Sequence, residues 1–221
     1  MQFLRKHWLR VVMHIAALMP LALLIWDGLH DQLTFNPIQE MTYRTGKSAL
    51  IMLMVSLAAT PLNTVFGLKQ VLPLRRALGL YAFFYAALHL LIFAVVDYGL
   101  QWTLIRQEIA EKRYVLVGLT AFLLLLPLAL TSTRGWQRRL GRSWKSLHRL
   151  VYIAAPLVIF HYVWLVKADY RKPAAYGLAL ALLLVLRIPA LRRAISGWRQ
   201  RRGRVRPRSE RGPHTPARAA D

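Results

Sequence analysis

Long uncharged runs separated by short clusters of charge set the pattern of this chain. Uninterrupted windows cover residues 11–26, 48–68, 77–96, 114–133, 150–166 and 173–186, with 16, 21, 20, 20, 17 and 14 residues. Crossing ~30 Å of hydrocarbon takes about 20 helical residues at 1.5 Å each. The first and last windows are short, but Arg10 and Arg187 at their ends extend them, because long basic side chains reach back to the interface. The pattern predicts six membrane-crossing helices over about 8–27, 47–67, 77–97, 114–132, 149–167 and 173–191. Trp8 and Trp26 bracket the first window, and Tyr98, Trp102, Tyr114, Trp144 and Tyr170 stand near other ends, as an interfacial belt would. The fold class expected is therefore an all-α, polytopic six-helix bundle over residues 1–198. Residues 199–221, rich in Arg, Pro and Gly without an apolar period, are expected to be a disordered basic tail. The basic start followed by an apolar run resembles a signal peptide, yet no small-x-small site follows Leu24-Ile25-Trp26-Asp27, so the run reads as a retained span. No internal repeat is found.

Composition supports the membrane reading. Of 221 residues, 56% are hydrophobic and 18% charged, against about 45–50% and about 25% for soluble domains. The formal charge of +22 suggests nucleic acid at first sight. The basic residues, however, punctuate the apolar runs and form no single face, so a nucleic-acid partner is not expected and anionic lipid headgroups are. Zero cysteines exclude disulfides, Fe–S clusters and the covalent attachment of c-type haem. Lys and Arg fall 23 on the N-terminal side of the predicted membrane and 8 on the other, which predicts that both termini are cytoplasmic.

Seven histidines are the candidate chemistry. His7, His30 and His214 fall in polar ends or connections and read as solvated. An ionisable side chain inside an apolar helix is costly and needs a partner, so His14, His89, His148 and His161 stand out. His89 precedes Asp97 by 8 residues and His161 precedes Lys167 by 6, which places them ~12 and ~9 Å from the same membrane face. His148 and His14 form a second, inner layer, ~20 Å away at 1.5 Å per residue. Two imidazoles facing each other across a bundle suit the axial positions of a b-type haem. The competing reading is four separate histidines bonded to nearby carbonyls or hydroxyls, and for His14 the two readings weigh equally. The 13-residue step from His148 to His161 leaves their side chains ~140° apart on an ideal helix, and a kink at Pro156 would reduce that mismatch.

Several motifs together resemble the MsrQ (YedZ) family. They are TSTRGWQRRLGRSWKSLHRLVY at 131–152, RRALGL at 75–80 leading to Ala87-Leu88-His89, TGKSAL at 45–50, TPL at 60–62 and HYVW at 161–164. The resemblance covers about residues 5–195. It implies a ferric-reductase-like membrane domain, shared with NADPH oxidases, in the bacterial inner membrane. It also implies a haem-b electron-transfer subunit of an oxidoreductase system, distinct from the catalytic subunit. Electrons would pass from the quinone pool or a cytoplasmic flavin reductase to MsrP, the periplasmic molybdopterin subunit that repairs methionine sulfoxide in envelope proteins. One or two haems b are implied, with FMN also associated. No G-x-G-x-x-G unit occurs, so the donor is expected to be a separate protein or a quinol.

NADPH oxidases carry two histidines on the third helix and two on the fifth. Here the fifth keeps His148 and His161, while the third has only His89, with Arg75 fourteen positions earlier. His89, His161 and His148 are thus the candidate iron ligands, and His14 a candidate for the missing inner one. Arg75 and Arg76, with Arg142 and Lys145, read first as positive-inside residues and second as partners for haem propionates or a quinone headgroup. Two other functions stay open on the residues alone: a stand-alone ferric or cupric reductase, and a small transporter or assembly factor with structural histidines.

Overall fold

The computed structural model describes residues 2–166 and 168–204; the remainder of the tail, 205–221, and His214 lie outside the described residues. Ten α-helices occur among them, and no strand: α1 (Gln2–Leu29), α2 (Pro37–Phe66), α3 (Leu74–Leu91), α4 (Trp102–Glu111), α5 (Arg113–Leu130), α6 (Arg134–Leu140), α7 (Arg142–Leu147), α8 (Val151–Leu165), α9 (Arg171–Val185) and α10 (Pro189–Arg204). A π-helical turn, Ile92–Asp97, prolongs α3, and a 3₁₀ turn, His148–Leu150, joins α7 to α8.

Five helical stretches are long and apolar enough to cross a membrane: Trp8–Leu29, Pro37–Phe66, Leu74–Asp97, Arg113–Leu130 and Arg142–Leu165. The sixth predicted span is different. Residues 173–191 do not form one straight helix, because α9 and α10 meet at 75°. Pro189 opens α10 at a position where a proline is tolerated, and it disfavours helical geometry at Ile188, within the short turn that separates it from the end of α9 at Val185. The fifteen residues of α9 rise ~22 Å, less than the hydrocarbon thickness. The bent pair counts as a sixth span only if taken together. The helix also runs on through Arg204, past the boundary at 199 expected for the tail.

A second difference sets up the site. α2 begins at Pro37, ten residues before the predicted start. Asn36 caps it, its side chain accepting from the Gln39 amide at 3.2 Å, and Pro37 stands at N1, where no donor is lost. The charges in the first turns are neutralised locally: Arg44 pairs with Asp27 at 2.5 Å and with Glu40 at 3.1 Å.

α2 lies along α3 and α5 along α8, and these two hairpins join through α3 and α5. α9 closes the ring between α8 and α2, and α1 covers α2 and α3. Within lipid, apolar burial does not drive helices together, so close packing of small residues must do it. Ala17, Ala59, Ala82, Ala121, Ala154 and Ala155 are all buried at these contacts, while Ile15, Leu29 and Leu178 are exposed to the surroundings. Tyr85 fastens α1: it is fully buried, donates to the Ala17 carbonyl at 2.7 Å and accepts from the Leu21 amide at 3.2 Å. Its hydroxyl thus inserts into the α1 ladder next to Pro20, where the helix already lacks a donor.

Candidate functional site

α3 and α8 are diagonal in the bundle and do not pack along each other; the gap between them holds His89 and His161. The two imidazole centroids are 6.3 Å apart, with ring planes at 83°. The Nδ1 of His89 donates to the Thr42 carbonyl at 2.8 Å, and that of His161 donates to the Tyr114 carbonyl at 2.7 Å. A carbonyl can only accept, so each Nδ1 carries the proton and each Nε2 keeps its lone pair. Such a carbonyl contact behind a ligating ring is the usual way a metal-binding histidine is held in one tautomer and orientation.

Two glycines make room for the rings. A β-carbon at Gly46 would come within 3.0 Å of His89 Nδ1, and one at Gly118 within 2.7 Å of His161 Nδ1. Each hairpin therefore uses the same three parts: a carbonyl on its first helix, a glycine one turn later, and a histidine on its second helix. The second set, Tyr114, Gly118 and His161, lies 72 positions after the first, Thr42, Gly46 and His89. Ala49 and Ala121, Leu53 and Leu125, Leu78 and Leu150, Ala82 and Ala154, and Asp97 and Asp169 keep the same offset. The two hairpins thus hold their histidines with the same parts at the same spacing. Under this offset the counterpart of His148 is Arg76.

The inner layer is arranged otherwise. His148 stacks on Trp144 with centroids 4.0 Å apart and meets the Thr131 hydroxyl through Nε2 at 3.2 Å. Arg75 and Arg76 stand close enough for their charges to act on it. His14 is exposed on α1 and bonds the Tyr81 hydroxyl through Nδ1 at 2.8 Å. The structure brings His89 and His161 together and does not bring His14 to His148. His30 bonds and stacks on Trp26, consistent with a surface role; the side chain of His7 lies outside the described residues.

Among the described residues no group of three or more His, Cys, Asp or Glu is placed to hold a metal ion. A two-imidazole site suits only a metal that brings its other ligands with it, as a macrocycle does. Two metal–imidazole bonds of about 2 Å, added to the two ring radii, come to about 6 Å, which agrees with the 6.3 Å separation. At the end of the bundle nearest this pair, a cavity of about 300 Å³ is lined by Glu111, Lys112, Arg113, Tyr114 and Trp164. Tyr114 thus contributes to the cavity and holds His161.

Comparison with known proteins agrees with this architecture. Residues 45–159 match the family model described as ferric reductase like transmembrane component. The chain is 46% identical over 185 residues to the protein-methionine-sulfoxide reductase heme-binding subunit MsrQ of Xanthomonas euvesicatoria pv. vesicatoria, covering 81% of this chain and 85% of that protein. The MsrQ subunit of Rhodospirillum rubrum is 45% identical over 193 residues, covering 85% and 91%.

The chain belongs to the MsrQ family of ferric-reductase-like transmembrane proteins. No solved structure matches it. The region matched by the family model begins at Thr45, within the start of α2, and ends at Ile159, two residues before His161. It holds Gly46, His89, Tyr114 and Gly118, while Thr42 and His161 fall just outside its two ends. Of the residues that meet here, the two histidines were legible in the sequence from depth alone. Thr42, Gly46, Tyr114 and Gly118 were not read as partners of the histidines, Tyr114 being taken as an interfacial aromatic, although the equal spacing of the two glycines from the two histidines was a usable signal.

Proposed function

We propose that His89 and His161 are the axial ligands of one b-type haem, and that the protein is the electron-transfer subunit of a methionine sulfoxide reductase system. The observation that carries this reading is the facing imidazole pair with both Nδ1 atoms tied to carbonyls. Bound there, the haem iron supplies one-electron redox chemistry within the apolar bundle. Thr42 and Tyr114 hold the two rings in the ligating tautomer, and Gly46 and Gly118 let the rings sit close to the neighbouring helix. The inner layer offers His148 alone, with Arg76 at the symmetric position and His14 engaged by Tyr81, so it is not a second bis-imidazole site. Arg75 and Arg76 remain candidates for propionates or a quinone headgroup.

In the bacterial inner membrane, with the basic end cytoplasmic, the His89/His161 layer is the periplasmic one. A quinol or a cytoplasmic flavin reductase would deliver electrons, and the molybdopterin subunit MsrP would receive them at the end that carries Tyr114 and Trp164. The FMN implied by resemblance is assigned no residue. The test is purification followed by reduced-minus-oxidised spectra and haem per chain. One haem with a b-type α-band, reduced by quinol and reoxidised by MsrP with a methionine sulfoxide substrate, is expected. A colourless preparation refutes haem binding; faster reoxidation by ferric chelate than by MsrP favours a metal reductase instead.

A further inference from the structure

His14 is an ionisable group within an apolar helix that the His89/His161 site leaves unused. It lies on α1, inside the span that begins at Trp8, and its ring is exposed to the surroundings. Nδ1 meets the hydroxyl of the half-buried Tyr81 on α3 at 2.8 Å, and the two rings stand edge to face with centroids 5.7 Å apart. One turn further along, Tyr85 bonds Ala17 and Leu21 and fixes α1 against α3. The phenol that fastens α1 therefore also sets the His14–Tyr81 pair in place.

A histidine that faces hydrocarbon is costly to keep and by default marks a function. With Nδ1 turned to Tyr81, the nitrogen that a ligand can reach is Nε2. Depth narrows the choice of ligand. His14 lies six residues beyond Trp8 and Tyr81 seven beyond Leu74, where their spans begin, so they sit ~9 and ~10 Å inside that boundary. A phosphate headgroup would stay at the boundary itself, with Trp8 and Arg10. Val11, Ile15 and Leu18 on α1, with Leu80 and Phe84 on α3, are exposed within about one turn of the pair and offer an apolar tail its surface. The ligand that fits is lipid-soluble, with a small uncharged polar group that both donates and accepts hydrogen bonds. Tyr81 precedes His89 by eight residues, ~12 Å along the same helix, which puts the pair beside the path of electrons. A quinol, with two phenolic hydroxyls on a hydrocarbon tail, meets every one of these conditions.

We propose that His14 and Tyr81 form a quinol-oxidising site on the lipid-facing side of α1 and α3, with a headgroup hydroxyl donating to His14 Nε2. The inference rests on the reading of His89 and His161 as haem ligands. Tyr81 is a positioning residue: its hydroxyl oxygen accepts from the Nδ1–H of His14 and so keeps the Nε2 lone pair turned to the ligand. Oxidation of one quinol to the quinone releases two protons and two electrons. The protons pass in turn to His14 Nε2 and on to water at the inner end of α1, and the electrons pass singly to the iron, the second after the first has moved to the acceptor.

The test uses the purified full-length protein, titrated in detergent with decylubiquinone and read by native mass spectrometry, a binding measurement that needs no turnover. Wild type should hold one quinone, and His14→Ala should hold it roughly tenfold more weakly. His30→Gln, just beyond the other end of α1, should bind as wild type does. His14→Gln keeps a hydrogen-bonding group but takes up no proton. It should bind nearly as wild type, yet decylubiquinol should reduce its haem roughly a hundredfold more slowly. Tyr81→Phe should show the same slowing with a smaller loss of affinity, while dithionite reduces the haem fully in every variant. A wild type that binds no quinone, or unchanged affinity in His14→Ala, overturns the site with or without haem. Quinol oxidation at the wild-type rate in His14→Gln overturns the proton transfer, and loss of affinity in Arg76→Gln but not in His14→Ala moves the headgroup to the basic cluster and overturns the site. A colourless wild type whose quinone affinity still depends on His14 refutes the haem reading alone.

Discussion

Gly118 stands directly behind the imidazole of His161, so close that a β-carbon would come within 2.7 Å of Nδ1. The ring cannot simply retreat, because the same Nδ1 is held by the Tyr114 carbonyl. Gly118→Ala is therefore expected to tilt or displace the ring and lower the haem retained through purification. Gly46→Ala, with 3.0 Å of room behind His89, should do so less. Haem-to-protein ratios from absorbance compare the two; a wild-type ratio in Gly118→Ala shows that the cradle does not constrain the ligand.

Replacing either His89 or His161 by Ala removes one imidazole and leaves the other facing an apolar gap. Each single variant should lose the b-type spectrum, and the two should resemble each other because the hairpins are built alike. Normal haem content in both would falsify the pairing and leave the family assignment as a statement about fold.

His14→Ala is expected to spare haem. Its ring is exposed and bonds Tyr81, so the variant loses one hydrogen bond worth about 0.5–1.5 kcal/mol. His148→Ala removes the Thr131 contact and the Trp144 stack without touching the outer pair, and should keep the outer-haem spectrum. A drop of haem to half its value in either variant reveals a second haem at the inner layer.

Tyr85→Phe tests the α1 anchor. The phenol inserts between the Leu21 amide and the Ala17 carbonyl, which can pair with each other when it is gone. A modest loss of about 1 kcal/mol is expected, with faster hydrogen exchange at Leu21. Unchanged thermal stability and exchange would show that packing alone holds α1.

Glu108 on α4 and Lys112, which follows its last residue, pair at 2.5 Å outside the spanning segments. The bond to Lys112 holds the Glu108 carboxyl below its ordinary range, and the bond to Glu108 holds the Lys112 ammonium above its own. The Glu108 contribution is full above the unfolded carboxylate value and is lost as pH falls through the depressed one. The Lys112 contribution is full below the unfolded ammonium value and is lost as pH rises through the elevated one. Both groups are near the surface, so the effect should be small and screened by salt. The Lys112 amide, which donates to the Glu108 carbonyl, should lose protection as pH falls below the ordinary carboxylate range and as it rises above the ordinary lysine range, after correction for intrinsic exchange rates. Constant protection across that range shows that the pair does not support α4.

The sequence by itself determined the membrane class, five of the six spans and the matched depth of His89 and His161. Those follow from two scalar rules, the length of apolar helix needed to cross hydrocarbon and the 1.5 Å rise per residue. Tertiary structure decided the rest: the early start of α2 at Pro37, the break between α9 and α10, the carbonyls and glycines behind each imidazole, and the separation of His14 from His148. In lipid both the packed and the exposed faces of a helix are apolar, so hydrophobic pattern does not say which face meets a neighbour. The fit of small residues against their neighbours decides it, as at Gly46 and Gly118 behind the two rings and at the buried Ala82 and Ala154. That fit exists only once two helices are side by side, and for this reason the common way in which the two hairpins hold their histidines emerged from the tertiary structure.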